Sequence, residues 1–99
     1  MQLQYLIFDA SDDGEGNGSW EAMASVRTDD LPAVMAEVRA VEAAARSDAP
    51  GPRGALDEGG MWDLDVQTLP DGDERVSVTL TLTGPWAWGE DLIGRLSAP

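Results

Sequence analysis

The strongest constraint on the fold is a strict alternation of apolar and polar residues in the second half of the chain. Segments 61–69 and 74–83 both place apolar side chains at even positions. This period of two predicts strands with one buried face. Opposed residues of an antiparallel hairpin share a face, so the connecting loop needs an odd number of residues, and we expect the turn at Pro70-Asp71-Gly72. The pairs expected from this turn are Val66 with Val76, Leu64 with Val78 and Trp62 with Leu80.

The middle of the chain has the period of an amphipathic helix. One apolar stripe runs through Leu31, Val34, Val38, Val41 and Ala45. Asp29 and Asp30 precede this stripe and are expected to cap the helix, because carboxylates accept hydrogen bonds from the free N–H groups of the first turn. We expect the helix to end near Ser47 or Asp48, before a proline.

The first part of the chain predicts two further strands. Residues 3–10 are apolar on both faces, which is typical of a central or doubly covered strand. Residues 12–18 are all turn formers, and residues 19–27 alternate again with Trp20 on the apolar face. Strand, loop and strand together predict a hairpin with a long tip.

Two connecting features complete the predicted fold. Residues 48–60 are rich in proline and glycine and predict a flexible internal connection, with Leu56 as its one large apolar anchor. Residues 89–96 predict a short closing helix. The order ββαββ therefore predicts an α+β fold, with one antiparallel sheet of about four strands and a long helix on one face. Residues 1–99 are expected to form a single domain.

The charge of the chain restricts its partners. The sequence has 19 Asp and Glu, 6 Arg, no Lys and a formal net charge of −13. Nucleic acid and membrane surfaces are excluded as partners, because both need a basic patch. A basic protein would be attracted instead. The first residues lack a basic stretch and Asp9 interrupts the apolar run that follows, so no signal peptide is expected and the cytoplasm is the simplest compartment.

The same composition removes most catalytic chemistry. The chain has neither His nor Cys, so the usual general base, the thiol nucleophile and the commonest transition-metal ligands are missing. No cofactor is expected. The glycines near residue 16 lie among carboxylates that would repel a phosphate, so no nucleotide site is expected either.

The acidic loop near the start has part of the spacing of a calcium loop. Asp9, Asp13, Glu15 and Asn17 lie at positions 1, 5, 7 and 9 of an EF-hand pattern. The closing bidentate Glu should then lie at position 20, which is Trp20. The alternative is a solvated hairpin tip in which Asp and Gly serve the turn.

Asp63 and Asp65 form a second carboxylate candidate. Two positions apart on one strand, their side chains share a face at roughly 6–7 Å, a separation that overlaps that of inverting glycosidases. An acid and base pair also needs one desolvated member with a raised pKa. The alternative is the solvated face of an amphipathic sheet.

Trp86 and Trp88 are the candidate interface residues. They follow Gly84-Pro85 in a stretch expected to be extended, so both rings would point the same way. Tryptophan pairs anchor interfaces in some proteins. The alternative is that these rings close the end of the core.

The stretch 59–67, residues 79–84 and the opening Leu6-Ile7-Phe8-Asp9 carry a resemblance to known sequences. With them the chain resembles small acidic bacterial proteins that have no assigned function. The resemblance implies an independent bacterial domain, and it implies no activity, substrate or site residue.

These observations favour a non-enzymatic domain that acts through protein contacts, with self-association into a homodimer as one form. One alternative is an acidic inhibitor, immunity protein or nucleic-acid mimic that binds a basic partner. A further alternative is a weak divalent-cation binder or a carboxylate-dependent enzyme.

Overall fold

The computed structural model describes residues 3–98, which build one sheet and two helices. The elements are β1 (Phe8–Asp12), β2 (Asn17–Arg27), α1 (Leu31–Ser47), β3 (Asp63–Pro70), β4 (Arg75–Pro85) and α2 (Trp86–Ser97), with 3-10 turns at Thr28–Asp30 and Leu56–Glu58. All neighbouring strands are antiparallel, in the order β1-β2-β4-β3. The predicted α+β class is confirmed. Residues 1, 2 and 99 lie outside the described residues. The two ends of the predicted domain, and the first residues considered as a signal peptide, therefore lie outside them as well.

Alternation along the two central strands decides which face of the sheet is buried. The even-numbered residues are buried from position 18 to 26 in β2 and from position 76 to 84 in β4. The odd-numbered residues of both strands are half-buried or exposed. The apolar stripe of α1 and the face Leu92, Ile93 and Leu96 of α2 belong to the same core. Both helices therefore cover one face of the sheet, and neither covers the other.

The long helix α1 begins and ends close to the predicted positions, and Val34, Val38, Val41 and Ala45 are buried as expected. Its start differs from the prediction, because Asp30 makes no side-chain capping bond and a 3-10 turn leads into the helix instead. A core-facing carboxylate, Glu37, is also buried.

The prediction of the first strand is wrong in its residue range and in its place in the sheet. Residues 3–7 lie outside the sheet, and β1 is an edge strand rather than a central one. The physical reason is Glu37, whose carboxylate accepts N–H bonds from Gln4, Tyr5 and Leu6 at 2.8–3.3 Å. These backbone donors are satisfied by a side chain, so they do not join a strand ladder.

The register of the second hairpin differs by two residues on each strand, although its parity is correct. Val66 pairs with Leu80 and Pro70 with Val76. The Asp71 N–H donates to the Arg75 carbonyl at 2.9 Å, so the three-residue loop is 72–74. Proline is tolerated on an edge strand, where its missing N–H would point outward, so Pro70 stays in the ladder.

The connection 48–60 is attached to β3 through its backbone and through one arginine. The Gly54 N–H donates to the Trp62 carbonyl at 2.8 Å, and Arg53 Nη2 donates to the Leu64 carbonyl at 2.8 Å. Leu56, the expected anchor, is 55% exposed. Arg53 therefore attaches this segment in place of Leu56.

The closing helix is longer than predicted. α2 begins at Trp86, so Trp86 and Trp88 lie on its first turn and not in an extended stretch. The Trp86 N–H donates to the Gly16 carbonyl at 2.9 Å, which satisfies one free donor of the helix start. Within residues 3–98, no helix is long and apolar enough to cross a membrane.

Candidate functional site

One face of the sheet is covered by neither helix. We call it the outer face. It consists of the odd-numbered residues of the four strands: Asp9, Ser11, Asn17, Ser19, Glu21, Met23, Ser25, Arg27, Asp63, Asp65, Gln67, Leu69, Arg75, Ser77, Thr79, Thr81, Thr83 and Pro85. Its central strand β4 contributes only hydroxyl side chains between Ser77 and Thr83, so charged residues lie on both sides of a neutral stripe.

Three carboxylates form one row across the outer face. Asp9 is directly opposite Glu21, Glu21 is opposite Thr81, and Thr81 is opposite Asp65. We call this set the acidic row. Adjacent strands are about 4.8 Å apart, so Asp9 and Glu21 place two like charges close together. Like charges in directly opposed positions destabilise a sheet.

Exposed apolar groups lie on the same face. Met23 is 63% exposed and follows Glu21 by one position, while Leu69 of β3 is 62% exposed and lies opposite Ser77, two positions from Asp65 on that face. At the far end of the face Arg27 is opposite Arg75, and Asp71, whose N–H donates to the Arg75 carbonyl, accepts a hydrogen bond from the Ser25 hydroxyl at 3.5 Å. The outer face therefore carries carboxylates toward one end, exposed apolar groups in its middle and charges of both signs at the other end.

A shallow cavity of about 270 Å³ borders the acidic end. Ser11, Ser19, Thr83 and Leu56 line it together with Asp12 and Asp13. Its lining combines hydroxyl groups and carboxylates with a single large apolar side chain.

The predicted pair Asp63 and Asp65 shares the outer face, as expected for one strand. Asp63 accepts a hydrogen bond from Arg53 Nε at 3.0 Å and another from the Leu64 N–H at 2.8 Å. The guanidinium of Arg53, followed by the backbone N–H, holds the pKa of Asp63 below its ordinary value. A general acid needs a raised pKa, so this arrangement keeps Asp63 ionised and unsuited to donate a proton.

Among the predicted metal ligands Asp9, Asp13, Glu15 and Asn17, the carboxylate of Asp13 serves the turn. Asp13 Oδ1 accepts N–H bonds from Glu15 at 2.7 Å and from Asn17 at 3.1 Å. These bonds are the Asx-turn chemistry of a hairpin tip. Across residues 3–98, no three side chains among His, Cys, Asp and Glu are grouped so that they could hold a metal ion.

The predicted interface residues Trp86 and Trp88 pack against two core tryptophans. Trp86 stacks on Trp20 with ring centroids 5.4 Å apart, and Trp88 meets Trp62 at 5.9 Å. Trp88 Nε1 also donates to the carbonyl of Asp48 at 2.9 Å. Both rings are half-buried, so one side of each contributes to closing the end of the core.

Glycines make this arrangement of rings feasible. A Cβ at position 18 would overlap the ring of Trp86, and one at position 84 would overlap the ring of Trp88. Gly18 and Gly84 are opposed on the two central strands, so they leave one shared space for the two rings. Each of these glycines lies on the apolar face of a strand with an alternating sequence, and that was the available signal. Only the strand order shows that the two glycines are neighbours.

Sequence reasoning did not identify Glu21, Met23 and Leu69 as parts of one surface, nor Arg53 as the residue that engages Asp63. Alternation assigns each residue to a face, but it does not say which strands are neighbours. Comparisons with protein-family models, with curated proteins and with solved structures found no match. The geometry of the outer face therefore carries the functional argument.

Proposed function

We propose that this protein is a non-catalytic binding domain whose outer face binds a basic segment of a partner protein. The observation that carries this proposal is the acidic row beside exposed Met23 on a sheet face that neither helix covers. A broad sheet face offers enough area for a weak or transient protein interface.

Electrostatics favour a cationic partner at this place. The repulsion between Asp9 and Glu21 is relieved when a guanidinium or ammonium group lies between them. The net charge of −13 also speeds the encounter with a basic protein at low salt. Both effects weaken as salt shortens the Debye length to about 8 Å at physiological ionic strength.

The apolar groups supply the part of the contact that charge does not. Met23 is flexible and polarisable, which suits a surface that must adapt to a partner. Burying an exposed apolar side chain of this size contributes about 1.5–3 kcal/mol. Contacts of this kind at Met23 and Leu69 would distinguish a specific partner from any polycation.

The alternatives receive less support. An inhibitor or immunity protein would share the basic partner and is a special case of the proposal. A nucleic-acid mimic would concentrate charge on one face, whereas carboxylates occur on both helices and on every strand except β4. Self-association relies on Trp86 and Trp88, whose rings already contact Trp20 and Trp62. The fold needs no disulfide, so we propose the cytoplasm as its compartment.

A pull-down with two charge-matched variants tests the proposal. The face variant Glu21→Gln/Asp65→Asn removes two charges from the acidic row, and the control Asp57→Asn/Glu58→Gln removes two charges from an exposed turn. Each immobilised protein is exposed to lysate of the source organism, eluted along a salt gradient and analysed by mass spectrometry.

The proposal predicts that wild type and control retain the same basic proteins and that the face variant loses them. Equal loss in both variants would mean that net charge alone attracts these proteins. Retention by all three forms would mean that the acidic row is not the binding surface. Either result would contradict the proposal.

A further inference from the structure

The two edges of the sheet differ in how they are protected. Arg53 Nη2 donates to the outward carbonyl of Leu64 at 2.8 Å, and the Gly54 N–H donates to the Trp62 carbonyl at the same distance. Pro70 has no N–H at the other end of β3. The β3 edge is therefore covered at one end and blocked at the other, which are two usual devices against strand pairing.

The β1 edge has neither device. The Asp13 N–H donates to the Asn17 carbonyl at 3.0 Å, which fixes the phase of the ladder with β2. Because the bonding direction alternates along an antiparallel strand, Phe8, Ala10 and Asp12 direct their N–H and C=O groups away from the sheet. β1 ends the strand order, so no other described strand pairs with these groups.

A groove of mixed character begins beside the first residue of β1. It has a volume of about 340 Å³, and Gln4 and Ser97 line it together with the apolar residues Leu3, Leu6, Ile7, Phe8 and Ile93. Phe8 packs against the core and Ile93 belongs to α2, so the groove lies on the helix side of the sheet. Ile7 is 78% exposed at its rim.

A carboxylate pair lies on the opposite side of the same edge. Asp9 points to the outer face, where Glu21 is its neighbour, whereas Asp12 is on the helix side with Phe8 and Ala10. A strand added at this edge would alternate its side chains between the two environments. One set would lie on the helix side beside Phe8 and the groove, and the other set would lie on the outer face beside Asp9.

We propose that the β1 edge receives an extended segment of the basic partner as a fifth strand, with apolar and cationic residues in alternation. This inference rests on the proposed function and specifies its binding mode as strand addition. A second copy of this chain is disfavoured as the occupant, because each copy has a net charge of −13 and its β1 carries Asp9 and Asp12.

Peptide binding with edge variants tests the inference. The probe is a labelled peptide of about nine residues of alternating lysine and valine, long enough for one strand, and its matched control alternates glutamate and valine. Ala10→Pro removes an outward N–H of β1, while Thr68→Pro makes the same change at the β3 edge. Binding is measured by fluorescence anisotropy at low salt.

We expect the lysine peptide to bind and Ala10→Pro to weaken it about tenfold through the lost hydrogen bond and the altered edge. Thr68→Pro should bind as wild type, and the glutamate peptide should not bind. Amide hydrogen exchange on the wild-type protein gives a test that needs no variant, since the peptide should slow exchange at Ala10 and Asp12.

Other outcomes would overturn the inference. Equal affinity of the two proline variants, protection at Val66 and Thr68 instead of β1, or no binding at about 1 mM peptide would each exclude addition at this edge. If the peptide binds, ignores Ala10→Pro and is lost with Glu21→Gln/Asp65→Asn, the proposed function stands without strand addition. Loss of the partner proteins in both charge variants of the pull-down would instead reject the proposed function itself.

Discussion

Replacing Glu37 by glutamine should destabilise this protein far more than a surface substitution does. The carboxylate of Glu37 lies 2.8 Å from the Gln4 nitrogen and 3.1 Å from the nitrogens of Tyr5 and Leu6. Glutamine keeps one of the two acceptor oxygens and turns an NH2 group toward backbone donors. At least one N–H therefore loses its partner in a largely buried site.

The magnitude follows from these bonds. A hydrogen bond to a charged group contributes about 1.5–3 kcal/mol, and an unsatisfied buried donor costs a similar amount. We expect Glu37→Gln to lower the free energy of unfolding by about 2–4 kcal/mol, out of the roughly 5–15 kcal/mol of a small domain. For a chain of this length the melting temperature should fall by about 10–25 °C.

The assay is urea unfolding followed by tryptophan fluorescence, with Glu42→Gln as the control on the same helix. The side chain of Glu42 is 38% exposed and contacts Arg46 and Arg53 at 3.7 and 3.4 Å, so its loss should cost no more than about 1 kcal/mol. Amide exchange at Gln4 and Leu6 should accelerate only in Glu37→Gln. Equal stability of the two variants would refute the role assigned to Glu37.

Four further substitutions have expected outcomes. Gly89→Ala should destabilise by about 1–3 kcal/mol, because a Cβ there overlaps a buried tryptophan ring, whereas Gly94→Ala in open space should stabilise by about 0.5–1 kcal/mol; thermal melts compare the two. Arg53→Gln should speed amide exchange in residues 48–60, as mass spectrometry would detect. Because Arg53 lowers the pKa of Asp63, this ion pair stabilises the fold above the ordinary carboxyl pKa and is lost as the pH falls through the lowered one. The stability difference between wild type and Asp63→Asn, measured by urea unfolding, should therefore vanish in acid.

The central strands and α1 could be predicted because the spacing of their apolar residues shows which face of each element is buried. Residues 75–85 alternate without interruption, and Val34, Val38 and Val41 recur at helical spacing, so local pattern and tertiary burial agree. The parity of the second hairpin follows from the same alternation. Its register does not, since Pro70 is compatible both with a turn and with an edge strand.

The start of the chain could not be predicted in the same way. Leu3 to Phe8 has the composition of a central strand, and only the distant carboxylate of Glu37 diverts its backbone from the sheet. A Glu three residues after Val34 and four before Val41 falls within the buried stripe, and that position was the available signal. A carboxylate on a core face needs donors, but the sequence does not say which segment supplies them.

The candidate site was predictable only in part. The alternation in β2 already assigned Glu21 and Met23 to the face away from the core, and the alternation in β3 did the same for Asp65. Their assembly into one surface depends on β4 lying between β2 and β3, a neighbour relation that no local pattern contains. The tryptophans show the same limit, because the contacts of Trp86 and Trp88 depend on which glycines oppose each other.

Methyl NMR tests the claim that the outer face binds basic segments most directly. The chain has four methionines, and Met23 lies on the outer face while Met35 is packed against the core on α1. Titration of methyl-labelled protein with the alternating lysine and valine peptide should shift the Met23 signal and leave the Met35 signal in place. Movement of Met35 without Met23, or no movement of either, would contradict the account.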